Sequence, residues 1–298
     1  MSCTVIHWTR LPISLIALAT PLAAQAQAPA LGAAWDSVAR ILQAPGAPTG
    51  GFYRYNLPRR DITLRIGDVT VSPSLALGAW AGFSGDPAAA TMMGDLVVTG
   101  SELKPVQAAL AGQGIEITAV HNHLVGGTPE ITYIHFHAEG VATRLAARLD
   151  SAIARTGTPR PVASPPPPAL SVDTALVFRT LGATGRAQGS VAQVSFILVP
   201  GEVTMGGHVV TPALGYGSPI NLQMVDPSRA VATGDLAVPG HAVDPVLDAF
   251  AQHGITTTAV HSHLIDERPA VYYIHFWADG PVADVLAGLR AAVDAARR

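Results

Sequence analysis

A chain of 298 residues with 49% hydrophobic but only 13% charged residues, and with a single cysteine, is long enough for one large core or two smaller ones. Its formal net charge of -3 excludes the basic surplus that neutralises a phosphate backbone or holds an anionic bilayer, so nucleic acid is not an expected partner. After residue 30 no run reaches the roughly 18 apolar residues needed to cross a membrane.

In chain order, residues 1–28 read as a secretory signal. Arg10 marks the positive start, Leu11 to Leu22 form the apolar stretch, and Ala26-Gln27-Ala28 offers a small-residue cleavage site. A periplasmic or secreted address follows. An uncleaved anchor is the competing reading, but the apolar run is about a dozen residues, short of the roughly 20 of a span. The only cysteine, Cys3, lies ahead of that stretch, so it is not placed to carry a lipid and would leave with the signal. Thiolate zinc sites and disulfides are then excluded, and any metal or acid-base chemistry falls to His, Asp and Glu.

The first repeat, residues 30–157, opens with a helix at Trp35 to Gln43 and continues with extended segments at Asp61 to Val71, Ala76 to Gly82 and Met92 to Thr99. Ser101 is placed as N-cap of a helix over Glu102 to Ala111, whose Pro105 falls in the first turn, where its missing N–H costs nothing. A histidine-rich hairpin and an amphipathic helix over Val141 to Ile153 close the repeat. Residues 158–169 form a proline-rich spacer that cannot enter a helix or an inner strand. The second repeat, residues 170–298, follows with a helix at Val172 to Leu181, strands at Val191 to Val199 and Asn221 to Val225, and a closing helix at Val282 to Ala296. The expected class is α+β: two duplicated domains, each a mostly antiparallel sheet packed with helices and carrying a His-rich β-hairpin.

The duplication is explicit. Ile117-Thr-Ala-Val-His-Asn-His-Leu124 recurs as Thr257-Thr-Ala-Val-His-Ser-His-Leu264, and Tyr133-Ile-His-Phe136 as Tyr273-Ile-His-Phe276. A period this long is a repeated domain, since solenoid units run about 20 to 50 residues.

Seven of the eleven histidines fall in the two hairpin segments: His121, His123, His135 and His137, then His261, His263 and His275. Residues i and i+2 of a strand share a face, and a turn centred on Pro129 would set His121 opposite His137 and His123 opposite His135. Imidazoles opposed in that way can share a metal ion about 2.0 to 2.1 Å from each nitrogen. The first copy would offer four imidazoles. The second would offer three plus the carboxylate of Glu267, the pattern of a catalytic metal with an open position. Ligation without thiolate suits zinc, copper, nickel or iron, with zinc or copper the first choice. The competing reading is a packed, hydrogen-bonded histidine cluster. Asp95 and Asp235 each follow a glycine, and Gly-Asp reads first as a turn pair, with a place in the same cleft as the alternative.

At His261-Ser-His-Leu-Ile-Asp-Glu-Arg-Pro269 and Ile274-His-Phe-Trp-Ala278 the chain resembles the LppY/LpqO family of secreted or lipid-anchored bacterial proteins. The likeness extends over most of residues 32–296 outside the spacer, and it implies the fold and secretion without a reaction. Two functions stand on the residues. One is a transition-metal protein, as an enzyme a metal-dependent hydrolase in which His261, His263 and His275 hold the ion and Glu267 is general base. The other is a non-catalytic protein, either structural or binding a small molecule or cell-envelope component beside Trp277.

Overall fold

The computed structural model describes residue 1 and residues 32–163 and 171–298; the expected signal and the four consecutive prolines of the spacer lie outside the described residues. The duplication becomes two six-stranded sheets of one topology. In spatial order the first sheet runs Gly46–Thr49, Phe52–Pro58, Gly78–Asp86, Ala89–Thr99, Ile131–Gly140, Glu116–His121. The second runs Gly185–Gln188, Val191–Phe196, Ser218–Met224, Arg229–Pro239, Val271–Pro281, Thr256–His261. Neighbouring strands are antiparallel throughout, in keeping with the expected α+β class.

Strand alternation decides which face meets which layer. In Ile131–Gly140, Ile134 and Phe136 enter the first apolar core, while His135 points the other way. The core face is covered by helices. Ala142–Ile153 is one of them, and it buries Leu145, Ala146, Leu149, Ala152 and Ile153, a stripe at spacings of one, three and four. Its counterpart Val282–Ala296 buries Val285, Leu286, Leu289, Ala292 and Val293 in the same rhythm.

The opposite faces of the two sheets carry the histidines, and the repeats are tied together at many points. Gln223 accepts from the Ser72 N–H at 2.8 Å and donates to the Thr70 carbonyl at 2.9 Å, Asn221 donates to the Leu75 carbonyl at 2.9 Å, and Arg229 pairs with both Asp68 and Asp279 at 2.7 Å. The described residues from 32 onward form one compact unit.

Several local expectations are corrected. Residues 61–71 are not one strand but two short ones, Leu64–Ile66 and Val69–Val71, turned about Gly67. The helix Gly100–Gly112 is capped at Thr99, not Ser101, because Glu102 reaches back to the Thr99 N–H at 2.9 Å. Glu102 also holds the buried Arg59 guanidinium, at 2.8 Å.

Gly94-Asp95 and Gly234-Asp235 are not turns. They lie in the middle of the eleven-residue strands Ala89–Thr99 and Arg229–Pro239. Glycine is required there by the neighbouring strand: a Cβ on Gly94 would meet the Trp80 carbonyl oxygen and the Phe136 ring, and one on Gly234 the Pro219 carbonyl oxygen. Backbone cannot swing aside as a side chain can. Gly94→Ala is therefore expected to destabilise the fold by about 3 kcal/mol in urea unfolding. A variant within about 1 kcal/mol of the parent would contradict this packing.

Candidate metal centre

The histidine hairpins do not have the register that a tight turn about Pro129 would impose. His121 lies opposite Tyr133, Ala119 opposite His135 and Glu116 opposite His137, with a bulge between Ile117 and Ala119. The reason is the connection, which leaves the sheet after His121 so that Gly127–Thr128 can pair with Leu64–Ile66 in a separate small sheet. The pairing is displaced by an even number of residues. Even displacement preserves facing, so His121 and His135 still share a side. The second hairpin repeats the pattern, with His261 opposite Tyr273 and Ala259 opposite His275. His123 and His263 follow the strand ends, and Thr258 of the second repeat fixes the first of them by donating its hydroxyl to the His123 carbonyl at 2.7 Å.

The two hairpins meet, so the histidines of both repeats lie in one cluster. The His121 ring lies 4.4 Å from that of His261, 4.7 Å from His263 and 4.9 Å from His275, between ring centroids. His123 lies 3.9 Å from His275, and His135 4.1 Å from His263. His275, fully buried, presents Nε2 to His261 Nε2 at 3.3 Å and Nδ1 to the Asp235 carboxylate at 2.6 Å. His123 stands between the two aspartates, Nδ1 at 3.2 Å from Asp235 and Nε2 at 3.7 Å from Asp95.

Three overlapping groups have ligand atoms within 4.8 Å of one another and could hold a metal ion: His121, His261, His263 and His275; Asp95, His121 and His123; His123, Asp235 and His275. Both nitrogens of His121, Nε2 of His123 and of His263, Nδ1 of His135 and of His261, and Oδ1 of Asp95 are buried with no hydrogen-bond partner among the described residues. Each unpaired buried polar atom costs about 1 to 3 kcal/mol, and folded proteins hold few of them. A shared cation, or water, would offset that cost.

Burial keeps five of these imidazoles, those of His121, His123, His135, His261 and His263, in the neutral form. Burial, reinforced by neighbouring imidazoles, holds His121, His123 and His263 far below the usual histidine range, and it lowers His135 to about 3 and His261 to about 4. The aspartates are driven apart. Burial and the facing Asp235 push the Asp95 carboxyl well up, whereas for Asp235 burial is outweighed by His123 and His275, which hold it below the usual carboxylate range.

Of the residues singled out by sequence, the fold gathers His121, His123, His135, His261, His263 and His275. His137 stands apart, two residues along the strand, with Nδ1 3.2 Å from Glu116 and Nε2 3.9 Å from Glu139. Glu267 is engaged locally, accepting from the Val271 N–H at 3.1 Å and from the Ser262 hydroxyl at 3.3 Å, and it joins none of the three ligand groups. The carboxylates at the centre are Asp95 and Asp235. Their signal in the sequence was recurrence at the same shift as the histidines, which dipeptide chemistry alone does not weigh. Trp277 packs against the core of the first repeat.

A family profile described as Domain of Unknown Function (DUF1259) matches residues 36–155 and again residues 175–295. The chain belongs to the DUF1259 family. Its two domain copies each contribute one histidine hairpin and one Gly-Asp strand to the single centre. No curated protein matches the chain. Among solved structures, the crystal structure of EtuB from Clostridium kluyveri is 13% identical over 85% of this chain and 90% of that one, with a TM-score of 0.21, a likeness too loose to transfer fold or function.

Proposed function

We propose that the paired DUF1259 domains form an exported protein that holds one transition-metal ion, zinc or copper, between its repeats and uses it to hydrolyse a small molecule. Kinship to the LppY/LpqO proteins, suggested by the segment His261 to Pro269, belongs to the same reading, as does a periplasmic or secreted address. The observation that carries it is the set of buried imidazoles converging from both repeats, five of them with unpartnered nitrogens. The 3.3 Å between His275 Nε2 and His261 Nε2 is about the edge of a tetrahedron with metal–nitrogen bonds of about 2.0 to 2.1 Å. Imidazole ligands without thiolate suit zinc and copper. Such an ion supplies Lewis acidity. The Gly234 carbonyl faces His275 Nδ1 at 3.3 Å, with the Asp235 carboxylate beside it at 2.6 Å, and this leaves Nε2 for the ion, as the outer partner of a metal-bound histidine does. Asp95, whose carboxyl is raised and which lies 3.7 Å from His123 Nε2, is the group at the centre that can hold a proton, and Glu267 is the alternative base.

Elemental analysis after metal-replete purification tests this. About one equivalent of zinc or copper per chain is expected, with a rise in melting temperature on adding the ion to stripped protein. Fewer than about 0.2 equivalents together with no thermal shift would leave the histidines as a packed, non-catalytic cluster.

A further inference from the structure

The centre forms part of the wall of a cavity of about 560 Å³ lined by both repeats, a volume suited to a small organic ligand. Part of the lining is cationic. Arg54 lies 4.0 Å over the Trp80 ring and donates its Nε–H to Asn56 at 2.8 Å, while Arg186 of the other repeat donates to Gln193 at 3.1 Å. Among the described residues neither guanidinium has a carboxylate within ion-pair distance. Burial and the neighbouring Arg186 lower Arg54 to about 9, with Asp95 across the cavity acting the other way. Asn56, Trp80, Asp95 and His135 are register partners across four adjacent strands. Two strand spacings, about 10 Å, separate the backbones of Asn56 and Asp95, and the Arg54 guanidinium lies over Trp80 on the strand between them, so the cationic and histidine parts of the lining are within reach of one small ligand.

We propose that this cavity binds a monosaccharide-sized organic anion, its carboxylate or phosphate docked on Arg54 and Arg186 and its other end against the histidines. A planar guanidinium fork already held by Asn56 and Trp80 is arranged for two-pronged contact with such a group. As the substrate class of the metal centre this rests on the preceding reading, but the anion subsite uses none of the ligand residues and can be tested apart from it.

Titration calorimetry with D-glucuronate, glucose 6-phosphate, inorganic phosphate and neutral D-glucose, on the full chain before and after chelation, makes the test. At least one organic anion should bind with a Kd of about 1 mM or tighter, and D-glucose at least tenfold more weakly; glucuronate and glucose 6-phosphate distinguish a carboxylate from a phosphate. Arg54→Gln should weaken binding at least tenfold and Arg54→Lys by less, with metal content unchanged. Arg186→Gln, on the exposed rim, is the second variant should Arg54→Gln fail to fold, and should weaken binding about threefold. No anion binding up to about 50 mM overturns the inference, as does equal binding of D-glucose or binding indifferent to both arginines. Anion binding in a chain that takes up no metal would support the subsite and sink the metal reading. Metal uptake without anion binding would do the reverse.

Discussion

His121→Ala is expected to lower the affinity of the chain for zinc by at least about a hundredfold, although the three other imidazoles of its ligand group come from the second repeat. Two self-sufficient sites would behave otherwise, because losing His121 would then spare the site built on His261, His263 and His275. The fold removes that independence. The His121 ring lies within 4.9 Å of all three second-repeat rings, so its deletion takes away one of the four nitrogens in the only all-imidazole group among the described residues. Competition titration against a chromophoric chelator reads both affinity and stoichiometry. One zinc per chain is expected in the parent and none at micromolar zinc in the variant. His137→Ala is the control: its imidazole is occupied with Glu116 and Glu139, and zinc affinity should change less than about twofold. Two zinc ions per chain, or unchanged binding by His121→Ala, would refute a shared centre.

The sequence was informative wherever the cause is local or periodic. Repetition of His-x-His and of Tyr-Ile-His-Phe at one shift located both hairpins, and the period of two assigned the histidines of each to one face, an assignment that survived an error in register because the displacement was even. What was hidden is long-range. Nothing near His121 in the chain announces that His261 will lie against it, since that contact depends on bonds such as Gln223 to Ser72 and Thr258 to His123, each joining residues more than a hundred positions apart. The Gly-Asp strands were hidden for the same reason. A glycine beside an aspartate suits a turn by its own chemistry, and only the carbonyl of an adjacent strand shows why no Cβ is tolerated at Gly94. At Glu267 a charged residue beside a ligand pattern suggested a base; what the sequence did not show is that the backbone N–H of Val271, four residues on, donates to its carboxylate.

The metal-free protein is expected to unfold on mild acidification, within roughly two pH units below 6.5. The sign follows from the direction of the histidine shifts. His121, His123, His135, His261 and His263 are lowered in the folded chain, two of them to about 3 and 4, whereas in the unfolded chain each titrates near 6.5. Above 6.5 all five are neutral in both states and do not make stability depend on pH. As pH falls below that value the unfolded chain takes up protons that the folded chain refuses, so stability is lost, at about 1.4 kcal/mol per pH unit for each group, until the folded values are reached. Asp95 opposes this, because its raised pKa lets the folded chain bind a proton that the unfolded chain does not. Five groups against one leave a net uptake of about three to four protons on unfolding near pH 5.5, or about 5 kcal/mol per pH unit, against a total stability that for ordinary domains is about 5 to 15 kcal/mol. Denaturant titrations followed by circular dichroism between pH 7.5 and 4.5 on chelator-treated protein measure the slope. The double variant His121→Asn, His263→Gln should flatten it by about two protons. Stability that stays level from pH 7 to pH 5 would mean that the imidazoles are not buried and neutral, and the metal reading would lose its foundation with them.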